Sequence, residues 1–178
     1  RASMRHLVGS RAERFDPRSP YDTPRVSKVQ YVAYEQRLVD PYLRLDLYED
    51  GITRKNIDRF LLGDEAAGEP PLDVLVEETD DLGIKLLLRE RCRELGIDVL
   101  MLSDFGHRAN VLWNFYSTDR SAPLGYAADD ASLRRTHEDL LAGDRSALSR
   151  FIAGMCGEGA CDAQFLAWLE GRGEQPTG

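Results

Sequence analysis

LDVLVEETDDLGIKLLLRERCRELGIDVLML, residues 72–102, is the stretch on which the fold turns. Leu72-Asp73-Val74-Leu75-Val76 is a mostly apolar run of strand length, the pattern of a strand covered on both sides by helices. Ile84, Leu87, Leu88, Cys92 and Leu95 then recur at helical spacing, and Gly96 stands where a helix of that phase should stop. Cys92 falls on that apolar stripe and reads as core. Val99-Leu100-Met101-Leu102 repeats the buried-strand pattern. Strand, helix and strand within this length meet the requirement of a right-handed parallel crossover, so the expected class is α/β, with a Rossmann-like, mainly parallel sheet flanked by helices.

Upstream, residues 10–24 hold Pro17, Pro20 and Pro24 among Ser, Asp and Arg without any period, and read as a loop. Pro24 suits the first turn of a helix whose apolar face is Val26, Val29, Val32 and Ala33 and which Asp40-Pro41 stops. Leu43, Leu45 and Leu47 alternate with Arg44, Asp46 and Tyr48, as in a strand with one wet face. Asp50-Gly51 turns the chain, and Thr53 is placed to cap a short helix on which Ile57, Phe60 and Leu61 share a face. Gly63 to Pro71 reads as a surface loop. Downstream, Val111 to Tyr116 has strand character, and 131–142, 146–155 and 162–170 read as short helices that form a cap or a dimer surface. The expected organisation is a central Rossmann-like part, residues 1–104, with a partly helical extension of the same domain over 105–178.

The length of 178 residues suffices for one domain with a real core. An apolar fraction of 42% and a charged fraction of 30% are ordinary for a globular protein, and no run of about 18 apolar residues offers a membrane span. The first residues lack the apolar stretch of a secretory signal, and the chain does not open on Met, which reads as a processed or partial piece. The three cysteines, Cys92, Cys156 and Cys161, are an odd and sparse set that argues against a disulfide framework, so the expected compartment is the cytoplasm. A net charge of −8 argues against nucleic acid or anionic membrane as a general partner. The exception is local: Arg1, Arg5, Arg11, Arg14, Arg18, Arg25 and Lys28 outnumber Glu13, Asp16 and Asp22. They form either a solvated arm or a set of cations for the phosphates of a small ligand.

In open parallel sheets, ligands bind beyond the carboxyl ends of the strands, where loops and helix N-termini converge. Here that places Glu77-Glu78-Thr79-Asp80-Asp81 after the first strand and Ser103-Asp104-Phe105-Gly106-His107 after the second. Carboxylates this crowded repel one another unless some face solvent, cap the next helix or hold a cation, and Asp80 or Asp81 as a plain N-cap is as good a reading as a metal role. Asp104 and His107 have the groups for acid–base chemistry, although a lone loop His is more often merely exposed. Cys156 and Cys161 are spaced unlike a CxxC pair and read as ordinary cysteines, the other reading being a reactive thiol on an accessible Gly-rich loop. Neither GxGxxG nor GxxxxGK[ST] occurs in the chain.

The order of pieces carries a resemblance over about residues 2–104. Ser3-Met4-Arg5, then Lys28-Val29 opening a helix that ends at Asp40-Pro41, then Ile52-Thr53 with Asn56-Ile57, then a buried strand running into Thr79-Asp80-Asp81, follow one another in sequence. This resembles the ThiF/MoeB-type, ubiquitin-activating-enzyme-like adenylyltransferases, whose pattern is a Ser-Asn-Leu-x-Arg segment, a Gly-x-x-Lys-Val helix start, an Asn/Asp-Pro turn, a Thr-x-x-Asn helix and Asp-x-Thr-Asp-Asn. Leu86 to Cys92 and Gly96 to Met101 also look like a branch of that family found with nitroreductase-like domains. The resemblance implies use of ATP and Mg²⁺ to activate the carboxylate of a small protein or peptide as an acyl-adenylate. Arg5 and Lys28 would be the phosphate-binding cations, Asp80 the metal carboxylate, and Asp81 and Asp104 further members of the nucleotide site. Arg11 and Arg14 stand as substitutes for Arg5. The family's glycine-rich loop would precede Arg1, its zinc-binding CxxC pairs are absent, and Asp81 stands where Asn is usual. A homodimer is implied, because relatives pair through this domain. A non-catalytic relative that dimerises or docks a partner enzyme is the competing expectation. Half of a Rossmann dehydrogenase or methyltransferase accounts for the core but not for Lys28 and the acidic turn together.

Overall fold

The computed structural model describes residues 6–8, 27–105 and 108–171. The chain divides into two compact units, Arg1–Gly63 and Asp64–Gly178.

In the first unit, strand β1 (His6–Val8) pairs in parallel with β2 (Asp46–Tyr48), in the register His6↔Asp46 to Val8↔Tyr48. Between them lies helix α1 (Lys28–Val39), which starts where Ser27 accepts the Gln30 N–H and the Gln30 side chain accepts the Ser27 N–H in return. This reciprocal cap satisfies two donors that a helix start otherwise leaves bare. Val29 and Ala33 are buried on α1, whereas Val32, expected on the same face, is 40% exposed. Val32 and Ala33 are adjacent and so stand about 100° apart around the helix, which leaves Val32 at the edge of the buried stripe. Helix α2 (Ile57–Leu62) follows Asn56, and Thr53 does not cap it. Instead Asn56 ties the preceding turn together, its Oδ1 accepting the Thr53 N–H and its Nδ2 donating to Gly51 O at 2.9 Å. Ile57, Phe60 and Leu61 are buried as expected, and Phe60 meets Tyr48 edge-on.

The second unit is built on β3 (Val74–Glu77), helix α3 (Leu82–Leu95), β4 (Asp98–Phe105) and β5 (Arg108–Asn114). β3 and β4 are parallel, Leu75 opposite Val99 and Glu77 opposite Met101. β4 and β5 are antiparallel, Met101 opposite Leu112 and Phe105 opposite Arg108. The architecture is α/β, with a three-stranded mixed sheet in the order β3-β4-β5. α3 stops at Gly96, whose left-handed backbone (φ 75°) costs a glycine nothing. Helices α4 (Asp130–Leu141), α5 (Ala147–Cys156) and α6 (Ala163–Leu169) follow, at the places the sequence pattern indicates.

Leu86, Met101, Leu124, Leu133, Phe151 and Met155 form the core, drawn from α3, β4, the 115–129 loop, α4 and α5. Cys92 is fully buried beside Val99, as its place on the stripe requires. The loop is clamped to α5 by Tyr126 N–H donating to Met155 O at 2.9 Å and Ala127 N–H to Gly154 O at 3.0 Å. Gly125 is needed for that approach, since a Cβ there would lie 2.7 Å from Gly154 O.

Two expectations are corrected. β3 is not covered on both faces: Leu75 and Glu77 point into the core, while Val74 and Val76 are 38% and 58% exposed. A run of apolar residues reports that a strand avoids charge, not which faces are packed, and within this unit the helices cover one side. The second strand does not give way to a loop at Ser103 either. It continues through Asp104 to Phe105, held by the antiparallel pairing of Ser103 with Asn110 and Asp104 with Ala109.

Candidate functional site

Glu77 ends β3 on the inward parity, and this placement organises the acidic turn. Its two carboxylate oxygens both accept from Lys85 Nζ at 2.8 Å, with the Glu77 and Lys85 side chains 1% and 9% exposed. Oε1 also accepts the Thr79 N–H at 2.6 Å. Glu77 therefore neither faces solvent nor caps a helix, as the crowding of carboxylates suggests; it is neutralised by a cation one turn into α3. Asp81 is the N-cap of α3, Oδ1 accepting the Ile84 N–H at 2.9 Å. With Glu77 anchoring one end and Asp81 the other, Glu78, Thr79 and Asp80 are left on the outside of the turn. Asp80 is exposed and, among the described residues, makes no hydrogen bond or ion pair.

Glu78, Thr79 and Asp80 line a cavity of about 620 Å³ at the carboxyl ends of β3 and β4. Ser103 and Asp104 of β4 border it as well, and its floor is Met101, Phe151, Ile152 and Met155. An apolar body of this volume with a few polar groups at one rim has the form of a small-molecule site. Within it the Ser103 hydroxyl is buried, and its neighbour is the Cys156 thiol. Cys156, the last residue of α5, also borders the cavity, and burial pushes its thiol up. Cys161 is buried too, its thiol pushed up to about 11 by burial and then by the nearby Asp162. Raised thiols stay protonated and react slowly, so neither is the accessible, reactive thiol that a Gly-rich loop suggests.

Of the residues singled out in the sequence, Asp80 and Asp104 are brought to one cavity, and Asp81 is committed to the helix cap beside it. Lys28 is the first residue of α1 in the other unit. Arg5, Gly106 and His107 lie outside the described residues, as do Arg11 and Arg14. Among the described residues no cluster of three or more His, Cys, Asp or Glu is placed to hold a metal ion. Glu78, Asp80 and Asp104 all border the cavity, but they are not clustered so as to cage a bare cation. They do fit Mg²⁺ carried on a phosphate chain, since that ion keeps waters and takes one or two carboxylates together with phosphate oxygens.

Lys85 is the residue of this site that the sequence reading passed over. The signal was present: Lys85, Leu88, Arg89 and Cys92 fall at i, i+3, i+4 and i+7, which puts both cations on the buried stripe. Arg89 is 1% exposed, its Nη1 donating to Asn114 Oδ1 at 2.7 Å and Leu124 O at 2.9 Å.

No family model matches the chain. It is similar to an uncharacterized protein of Mycobacterium tuberculosis, 37% identical over 76 residues. That stretch is 43% of this chain and 10% of the other protein, so the chain spans about a tenth of the length of the curated relative it matches. No helix among the described residues is long and apolar enough to cross a membrane.

Proposed function

We propose that this chain is part of an ATP-dependent adenylyltransferase of the ThiF/MoeB type, in which the cavity beyond β3 and β4 receives the metal-bearing nucleotide. In this reading β3, α3 and β4 belong to a Rossmann-like, mainly parallel sheet, and the acceptor is the carboxyl terminus of a small protein or peptide. A carboxylate oxygen of the acceptor attacks the α-phosphorus of ATP, a new P–O bond forms, and the bond to the β-phosphate breaks to release pyrophosphate. Asp80 would hold Mg²⁺, and the ion would supply positive charge against the charge building on the phosphate oxygens. Asp104 is a further carboxylate at the rim, and Asp81 fixes the turn that presents Asp80. By the resemblance Lys28 and Arg5 would be the cations for the phosphates; Lys28 belongs to the first unit and Arg5 lies outside the described residues. A homodimer and a nitroreductase-like companion domain are part of the same proposal.

The observation that carries the reading is Asp80, a carboxylate with no partner among the described residues at the rim of a cavity of about 620 Å³. Calorimetry of the chain with Mg-ATP tests it. Binding should weaken at least about tenfold in Asp80→Ala, a variant expected to keep its stability because an exposed unpaired side chain is removed. Binding unchanged in Asp80→Ala removes the assigned metal site.

The absence of a glycine-rich phosphate loop from these 178 residues favours a second reading, a non-catalytic member that dimerises or docks a partner enzyme. Self-association without any heat on adding Mg-ATP is its signature.

A further inference from the structure

Arg89 lies inside the second unit with half of its guanidinium unused. Nη1 is held by Asn114 Oδ1 and Leu124 O, both neutral, while Nε and Nη2 are buried and, among the described residues, have no hydrogen-bond partner. No carboxylate among the described residues reaches Arg89. The nearby Asp130 is taken, Oδ2 by Arg93 at 2.7 Å and Oδ1 by the Leu124 N–H at 2.9 Å. The Tyr116 hydroxyl donates to Pro123 O at 3.2 Å and also lies beside the Arg89 guanidinium, but it is neutral and gives Arg89 no compensating charge. A buried cation left with neutral acceptors alone is costly, and so are two buried N–H donors with none.

The same Arg89 lines a second cavity, of about 380 Å³, distinct from the rim of Asp80 and Asp104. Its other walls include Trp113 and Asn114 of β5, Pro123 and Tyr126 of the following loop, and Met155 of α5. Among the described residues Arg89 is the one cation in this lining, and no anionic side chain accompanies it. Nε–H and one Nη2–H point the same way along one edge of a guanidinium, the edge that takes both oxygens of a carboxylate in two parallel hydrogen bonds. One guanidinium balances one negative charge. A phosphate dianion would keep an uncompensated charge among apolar walls, and Trp113, Tyr126 and Met155 offer their surface to an apolar or aromatic body.

We infer that this cavity binds an organic monocarboxylate with an apolar or aromatic body, its carboxylate taken by the free Nε and Nη2 edge of Arg89. The site is separate from the adenylation reading and stands or falls without it.

The test uses the chain as it is, with 3-phenylpropionate as probe, its neutral amide 3-phenylpropanamide as the isosteric control, and inorganic phosphate as the second anion. Binding is followed by calorimetry and by the fluorescence of Trp113, with Trp113→Phe to assign the signal. The acid should bind at least about tenfold more tightly than the amide, phosphate should not compete, and Arg89→Lys should lose most of the preference because an ammonium has no fork. Equal binding of acid and amide, no binding of the acid at about 10 mM, or displacement of the acid by phosphate each overturns the inference. The wild-type comparison of acid with amide decides the matter even if an Arg89 variant fails to fold.

Discussion

Lys85 and Arg89 stand one turn apart on the same buried stripe of α3, yet they are handled in opposite ways. Lys85 meets both oxygens of Glu77, so its charge is cancelled where it lies and the pair serves as a strut between β3 and α3. Arg89 meets an amide oxygen and a backbone carbonyl, and keeps its charge. The difference shows that burial alone does not say what a cation is for. A buried cation with its carboxylate is a finished structural element, whereas one with only neutral acceptors and an adjoining cavity has interaction capacity left over.

The comparison breaks most readily at the ion pair. Lys85→Met strands Glu77 in the core and should cost about 3–5 kcal/mol in urea unfolding. Adding Glu77→Leu should recover most of that loss but not all, because the Thr79 N–H then lacks its acceptor, a penalty of about 1–3 kcal/mol. A double variant no more stable than Lys85→Met would mean that the pair is not the strut described here.

Arg89→Met strands no opposite charge, only the acceptors on Asn114 and Leu124, and should cost about 1–3 kcal/mol, clearly less than Lys85→Met. Equal losses from the two variants would erase the contrast between the sites.

A smaller contrast separates the adjacent aspartates. Asp81→Ala removes the cap of α3 and should lower stability by about 1 kcal/mol, while Asp80→Ala should change it by less than about 0.5 kcal/mol and act on ligand binding instead.

The smallest effect concerns the thiols. Burial pushes Cys92 up to about 12 from an ordinary 9.0, against a weaker pull from Arg89. Below about pH 9 the thiol is protonated in both the folded and the unfolded chain and stability does not depend on it. As pH rises from 9 towards 12 the unfolded chain loses that proton first, so stability should decline across this window. Cys161, raised to about 11, acts in the same direction, and neither thiol should be alkylated quickly by iodoacetamide at pH 8 in the folded protein. Fast alkylation of Cys92 without unfolding would contradict its burial.

Much of this was legible in residues 72–102. Apolar runs bounded by Gly96 and by the acidic turn place β3, α3 and β4 because strand and helix periods are local properties of the chain, and the stripe of α3 already marks Cys92 as core. The same locality puts Asp80 and Asp104 near the strand ends and one of two adjacent aspartates at the helix cap. Which aspartate caps was left open, since either suits the first turn.

What only the tertiary structure decided are the pairings across distance. Glu77 turns inward because the register with β4 sets its parity, so a residue that reads as part of a solvated acidic cluster becomes half of a buried ion pair. The acceptors of Arg89 come from 25 and 35 residues away, on β5 and on the loop that Gly125 holds against α5, and no spacing within a helix encodes them. The sidedness of β3 was decided there too: alternation of burial depends on which face the helices cover, and that is a property of packing between elements, whereas the presence of a strand depends on the residues of the strand itself.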